Sequence, residues 1–286
     1  MSNHSSHIIV TGANGFIGKH LVKHLTNSGK EVVEITHSDG DIRTLNLSNL
    51  RESTQVIHLA NRNFIPDSWE HPGDFFSVNI DGTLNMLEQC WKSGARIIYV
   101  SAYVYGQPKY LPIDESHSLS GLNPYMKSKI LTEELVRFYA DNFMVPYAII
   151  RPFNIYGAGQ SDSFLIPTIA RQIADPKTDT IQVQSLSPKR DFLHLHDFNN
   201  ALEAIIDTPI LNDTYNIGFG KSYSVEEIIN TFFEITGKKL HYSETGEKRT
   251  NEVPDVVSDN SKISNKTGWK PNLSLKDGLS LVLESY

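Results

Sequence analysis

The chain of 286 residues carries 26 Lys plus Arg against 33 Asp plus Glu, a formal net charge of −7, with 39% apolar and 21% charged residues. That length buries a sizeable core, as one large α/β unit or as a large unit with a smaller one, and the acidic balance argues against general nucleic-acid or anionic-membrane binding. The single cysteine, Cys90, excludes an intrachain disulfide and a cysteine-built zinc site. The polar start Met1-Ser-Asn-His-Ser-Ser-His7 shows no secretory signal, and no apolar run nears the roughly 18 residues of a membrane span. A soluble, cytoplasmic protein is expected.

Ile8-Ile-Val10 reads as a first strand, ending in the Gly-rich turn Thr11-Gly-Ala-Asn-Gly-Phe-Ile-Gly18. A helix with Leu21, Val22 and Leu25 on one face follows and stops at Asn27-Ser-Gly29. Glu31 to Ile35 and Gln55 to Ala60 read as strands, Val78 to Trp91 as a helix, and Arg96 to Ser101 as the next strand. Tyr125 to Tyr139 has helical spacing, and Tyr147 to Arg151 is a buried strand. Apolar strands alternating with helices predict a Rossmann-like, doubly wound parallel sheet. Beyond Arg151 prolines and longer loops increase. Helices are expected over Pro167 to Ile173 and Ser224 to Thr236, with a short strand over Ile181 to Val183. The organisation read from this is a dinucleotide-binding domain over 1–154 and a mainly substrate-binding lobe over 155–286, with parts of the later chain returning to the first domain.

Gly12, Gly15 and Gly18 are spaced three apart between a strand and a helix. A pyrophosphate needs a tight turn, close backbone approach and the free N–H groups of a helix start, each easiest without a Cβ. The acidic residue that usually grips the adenosine ribose after the second strand is missing. Thr36 stands there, followed by His37 and Ser38, with Asp39 as a group that could reach the ribose. The lost carboxylate removes the main repulsion against a 2′-phosphate, and the cofactor reading is NADP or NAD, leaning to NADP.

Tyr125 and Lys129 are four apart on a helix and share a face. A Tyr beside a nicotinamide can exchange a proton with a carbinol or carbonyl oxygen, and a nearby ammonium is expected to lower its pKa. Ser101, at the carboxyl edge of the sheet, can hydrogen-bond the same oxygen.

These segments stand in order with His58-Leu-Ala60, Asn79-Ile-Asp-Gly-Thr83, Ser101-Ala-Tyr-Val-Tyr-Gly106, Tyr125-Met-Lys-Ser-Lys129, Arg151-Pro-Phe-Asn-Ile-Tyr-Gly157, Arg190-Asp-Phe-Leu-His194 with Asp197, and Gly268-Trp-Lys-Pro271. The whole chain resembles the extended short-chain dehydrogenase/reductase family, in its nucleotide-sugar epimerase/dehydratase group. The resemblance implies Ser101, Tyr125 and Lys129 as catalytic triad, with Gly12, Asn14, Gly15, Phe16, Ile17 and Gly18 as pyrophosphate loop. It implies that Leu59, Ala60 and Asn79 line the cofactor, and that Asp41-Ile42 contacts the adenine, with Asn46-Leu47 as the competing pair. On the substrate side it implies Asn154 against the diphosphate, Arg190 and Arg249 as its clamp, and Tyr103 beside Ser101.

By the same resemblance, 4,6-dehydratases carry an Asp-Glu pair where this chain has Ala102-Tyr103. The bifunctional epimerase/reductases place a Cys at the position of Tyr103 and a His where Ser163 stands. Two reactions on a nucleotide-diphosphate sugar remain: reduction of a 4-keto-6-deoxy sugar, and 4-epimerisation with tightly bound NAD. A catalytically silent cofactor-binding regulator is a distant third, because Tyr125 and Lys129 are both present. Relatives often dimerise through the helices carrying Asn79 and Tyr125, so a homodimer is expected. His20 with His24, and His194 with His196 on a strand, are expected to be solvated or packing side chains rather than metal ligands. Trp69 and Phe75-Phe76 are expected to pack in the core or as a cap.

Overall fold

The computed structural model describes residues 7–209, 212–246 and 252–286. The first half alternates as expected. It runs β1 (Ile8–Thr11), α1 (Phe16–Asn27), β2 (Val32–Ile35), β3 (Gln55–His58), α2 (Ile65–Glu70), α3 (Pro72–Phe76), α4 (Gly82–Ser93), β4 (Arg96–Val100), α5 (Pro124–Phe143) and β5 (Tyr147–Pro152). The second half holds β6 (Asn154–Tyr156), α6 (Leu165–Ala174), β7 (Thr180–Val183), β8 (Lys189–His194), α7 (Leu195–Asp207), β9 (Asp213–Ile217), β10 (Ser222–Ser224), α8 (Val225–Thr236), β11 (His241–Glu244), α9 (Ser261–Thr267) and α10 (Leu275–Leu283).

Six strands form one sheet in the order β2-β1-β3-β4-β5-β9, every neighbouring pair parallel. The chain leaves β1 on one side to make β2 and returns on the other to make β3. That reversal opens a crevice at the carboxyl ends of the strands, where ligands bind in such sheets. Strand β9 comes from late in the chain, so the second half contributes to the first sheet. Alternation along the strands splits the core in two. Ile8, Val10, Ile57 and Ile150 pack under α1 and α7 with Leu21, Leu25, Phe198 and Leu202, whereas Ile9, Val56, Ile97 and Ile149 pack under α4 and α5 with Met86, Leu87 and Val136. Both faces are covered, which explains why the strands read as continuous apolar runs.

The second lobe has a three-stranded sheet, β10-β8-β6, and a two-stranded one, β11-β7. Around them α6, α8 and α10 enclose Ile166, Ile169, Ile181, Ile228, Phe232 and Leu279. Buried Asp191 on β8 ties the lobe to the loops beside β9. Its carboxylate accepts from the backbone N–H of Phe219 (2.6 Å), Gly220 (2.9 Å) and Ser258 (2.9 Å), and from the Ser258 hydroxyl (2.6 Å). Asp191→Ala strands these donors, and a urea titration is expected to show a loss of about 3 kcal/mol.

Several expectations need correction. The helix read from Val78 begins as a π-helical turn, Ser77–Asp81, before α4. Strand β8 ends at His194, and His196 lies in α7, so the two histidines do not alternate along one strand. His20 donates from Nε2 to the Ala158 carbonyl (3.1 Å) and His24 pairs with Glu203 (2.6 Å), so neither simply faces water. Phe75 is buried, but Trp69 is 63% exposed and caps nothing in the core.

Candidate active site

The Gly-rich turn is a cradle that side chains would fill. Gly12 sits at φ +70°, and a Cβ there would lie 2.9 Å from the Ala60 nitrogen; a Cβ on Gly18 would lie 2.2 Å from the Gly12 carbonyl oxygen. Gly15 is the N-cap of α1 and provides no side-chain cap, which leaves the first-turn N–H groups of Phe16, Ile17 and Gly18 facing the crevice edge. Asn14 is exposed beside them. An anion fits this turn on geometry and on the helix dipole alike.

The walls of the crevice are pinned from behind. Buried His58 bonds Thr11 Oγ1 through Nδ1 (2.7 Å) and Thr83 Oγ1 through Nε2 (3.1 Å). Burial, reinforced by Lys129, pushes its pKa down to about 3, so it is a neutral strut. Leu59 and Ala60 follow β3 directly. Asn79, delivered by the π-helical turn, spends its amide on the backbone of Arg62 (2.8 and 3.1 Å) and on Ser128 Oγ (2.8 Å). It therefore shapes the crevice by holding the 60–62 loop against α5.

At the end of β2, Thr36 and Asp39 close on each other in a local lock. Asp39 accepts from the Thr36 backbone N–H and from its hydroxyl, both at 2.7 Å, closing a short 3-10 turn over His37–Asp39. Asp39 is thus committed to Thr36 rather than extended toward a ribose. Arg43, to which sequence reasoning assigned no role, folds back onto Asp41 and reaches Ser77 Oγ (3.0 Å). Its guanidinium holds the Asp41 carboxyl down at about 2. Ile42 packs on Gly82 at the start of α4, whereas Leu47 is buried in the core and bonded through its N–H to Gln89 (2.7 Å).

Helix α5 carries Tyr125 and Lys129. Asn123 caps it by accepting from the Met126 N–H (2.8 Å), and Pro124 opens it, so Tyr125 stands in the first turn. Lys129, one turn on, is buried and donates to the Val100 carbonyl (2.8 Å), next to Ser101, with its ammonium 4.7 Å above the Tyr99 ring. Tyr125 packs edge-on against Phe75 (6.4 Å) and joins Ala102, Val104 and Ile130 in a small apolar cluster. Ser101, Tyr125 and Lys129 therefore gather at the carboxyl edge of the sheet.

The electrostatics correct one expectation. Burial raises the Tyr125 pKa, and no lowering by Lys129 opposes it. Burial instead pushes Lys129 itself down to about 7, against a contrary pull from Glu133. Between about 7 and its ordinary 10.5 the unfolded chain binds the extra proton, so this residue favours folding more as pH rises through that window. The melting-temperature advantage of Lys129→Met over the parent is expected to shrink as pH rises across it. A pH-independent gap would contradict this.

Toward the second lobe, Tyr103 donates to the Gly106 carbonyl (2.6 Å) and packs on Phe153 and Tyr105. Burial raises it to about 12, with Arg190 acting in the opposite sense across the gap. Asn154 Nδ2 donates to the Asp191 carbonyl (3.1 Å). Arg190 donates to the Val253 carbonyl (2.7 Å) and pairs with Glu252 (3.5 Å). Arg249 lies outside the described residues. Sequence reasoning also missed Glu133. It is buried, accepts the Ser101 hydroxyl proton at 2.7 Å, and pairs with Arg151. Its signal was legible, because positions 125, 129 and 133 fall on one helical stripe.

A model of the NAD dependent epimerase/dehydratase family matches residues 8–218. A GDP-6-deoxy-D-mannose reductase from Pseudomonas aeruginosa is 29% identical, covering 98% of this chain and 96% of that one. A putative UDP-glucose 4-epimerase from Methanocaldococcus jannaschii is 30% identical over 96% of this chain and 97% of its own. A GDP-6-deoxy-D-talose 4-dehydrogenase from Aggregatibacter actinomycetemcomitans is 31% identical over 91% of each. Among solved structures, RMD from Pseudomonas aeruginosa complexed with NADPH superposes with a TM-score of 0.90 at 29% identity, covering 98% of both chains. The fold and its edge define an NAD(P)-dependent α/β oxidoreductase. The chain belongs to the NAD dependent epimerase/dehydratase family.

Proposed function

We propose that this protein reduces the 4-keto group of a 4-keto-6-deoxy sugar nucleotide, with NADPH preferred over NADH and Tyr125 as the acid. The observation that carries the reading is the meeting of Tyr125, Lys129 and Ser101 beside the Gly-rich turn. The choice of a reductase is supported by the end of β2, where Asp39 is locked onto Thr36, and by relatives named as GDP-sugar reductase and dehydrogenase.

Bound coenzyme supplies the hydride to the sugar C4. The Gly-rich turn would hold its pyrophosphate, Asp41-Ile42 its adenine side, and Lys129 its nicotinamide ribose. Burial keeps Tyr125 protonated, which suits a group that gives a proton to the forming O4 alcohol. Arg190, Arg249 and Asn154 would receive the nucleotide diphosphate, a partner suited to guanidinium forks. Tyr103 would border the sugar.

A second reading, a 4-epimerase with retained NAD, draws on the relatives named UDP-glucose 4-epimerase. Loss of reduced-nicotinamide absorbance, measured with NADPH and NADH against GDP-, dTDP- and CDP-linked 4-keto-6-deoxy sugars, separates the two. Stoichiometric loss with one sugar is expected. No loss with any of them, together with NAD released on denaturation, would support the epimerase.

The reading includes a homodimer through the outer faces of α4 and α5, where Trp91 (44% exposed), Phe138 (52% exposed) and Phe143 form an aromatic patch. A Phe138→Glu variant sedimenting as a monomer, beside a dimeric parent, is the expected result. No helix among the described residues is long and apolar enough to cross a membrane. A cytoplasmic site of action is part of the same proposal.

A further inference from the structure

Lys129 is a cation buried inside the protein. Its ammonium has three protons to give, and one goes to the Val100 carbonyl at 2.8 Å. It also stands 4.7 Å from the centroid of the Tyr99 ring, within cation–π range. Tyr99 lies on β4, two residues before Ser101, buried among the side chains under α4 and α5. Its ring leans against His58 of β3, with centroids 6.1 Å and planes 31° apart.

The charged and titratable groups around the ammonium leave this ring a distinct task. Glu133, one turn on along α5, pulls on the ammonium, but Arg151 and Arg137 pair with that carboxylate and Ser101 donates to it. His58 is neutral and Tyr125 protonated, so neither supplies a negative charge. Burial meanwhile favours the uncharged amine and brings the group down to about 7. An aromatic face attracts an ammonium and has no such hold on a neutral amine. Tyr99 therefore works against burial, in the sense that keeps the proton on Lys129.

We propose that Tyr99 is a positioning residue that seats the Lys129 ammonium on its ring face and keeps it charged for the nicotinamide ribose. This rests on the reading above that Lys129 holds that ribose. Ribose hydroxyl oxygens accept from an ammonium, and a neutral amine is the weaker donor. With one proton on the Val100 carbonyl, two remain for the ribose hydroxyls. Tyr99 moves no proton and makes no bond to the coenzyme. It fixes where the charge sits and how far up the pH scale it survives.

The affinity of the full chain for NADPH, followed by coenzyme fluorescence between about pH 6 and pH 9, tests this. In the parent, affinity should fall as Lys129 loses its proton, and Lys129→Met should remove that fall. Tyr99→Leu takes the ring away. It should move the fall at least about half a pH unit lower, which makes binding above it about threefold weaker or more. Below the fall, Tyr99→Leu and the parent should bind within about twofold of each other. Tyr99→Phe keeps the ring and should follow the parent. A second series holds the shape of the core nearly constant. Phenylalanines bearing two or three ring fluorines replace Tyr99, and the fluorines drain the π face. The fall should move lower with each added fluorine. A fall that ignores both ring removal and fluorination would overturn the proposal and leave the coenzyme reading intact. Weaker binding by Tyr99→Leu that is the same at every pH would do likewise. A fall that persists in Lys129→Met, or no NADPH binding by the parent, would overturn both.

Discussion

Tyr125→Phe is expected to lower kcat for reduction of the 4-keto sugar by roughly 10²–10⁴-fold, the usual span for losing a positioned general acid. Coenzyme affinity, read by quenching or enhancement of NADPH fluorescence, should stay within about twofold, because the phenol oxygen is the only atom removed. The geometry behind this is specific. Asn123 and Pro124 fix the start of α5, Ser128 ties that turn to Asn79, and Phe75 and Ile130 hold the ring. Burial keeps the phenol protonated, and the ammonium one turn away bonds the Val100 carbonyl instead of the phenol. A variant retaining turnover within about tenfold of the parent would move the acid role to another group.

Gly18→Ala is expected to abolish measurable coenzyme binding and to destabilise the fold by about 1–3 kcal/mol, the common cost of overpacking. Its Cβ would stand 2.2 Å from the Gly12 carbonyl oxygen and 2.8 Å from Ala13 Cα, both backbone atoms of the turn that must receive the pyrophosphate. Neither can yield without opening the turn. Gly73 provides the control, since a Cβ there meets nothing within 4 Å and its φ is not left-handed. Gly73→Ala should bind coenzyme as the parent does. Calorimetric titration with NADPH distinguishes the pair, and normal binding by Gly18→Ala would contradict the assignment of the turn.

The glycine spacing and the strand-helix alternation were legible because each rests on a local constraint. Gly12 needs a positive φ, Gly18 needs the absence of a Cβ, and the strands are buried on both faces. What the sequence hid depends on chain reversals. Arg43 pairs with Asp41 two residues away, but its reach to Ser77, 34 residues on, exists only in the folded chain. His196 left its strand because β8 gives way to α7 at His194, whose ring accepts from the His196 N–H (3.1 Å). Trp69 is exposed because α2 is a short surface helix that buries Ser68 and not its aromatic residue. The Tyr125 pKa went the other way because the Lys129 ammonium turns toward β4. Glu133 was readable in principle. A charge on the stripe of Tyr125 and Lys129 had to be buried, and Arg151, on a strand buried from Ala148 to Pro152, and Arg137, one turn further along α5, were the cations that pair with it.

The most direct test of the central claim follows the hydrogen. NADPH deuterated at the transferable nicotinamide position is incubated with the 4-keto-6-deoxy sugar nucleotide that supports coenzyme oxidation, and the product is examined by proton NMR. One deuterium at C4 of the sugar, matched by one equivalent of oxidised coenzyme, is the predicted result. An equivalent of oxidised coenzyme with no deuterium at C4 of the sugar would contradict the reductase assignment.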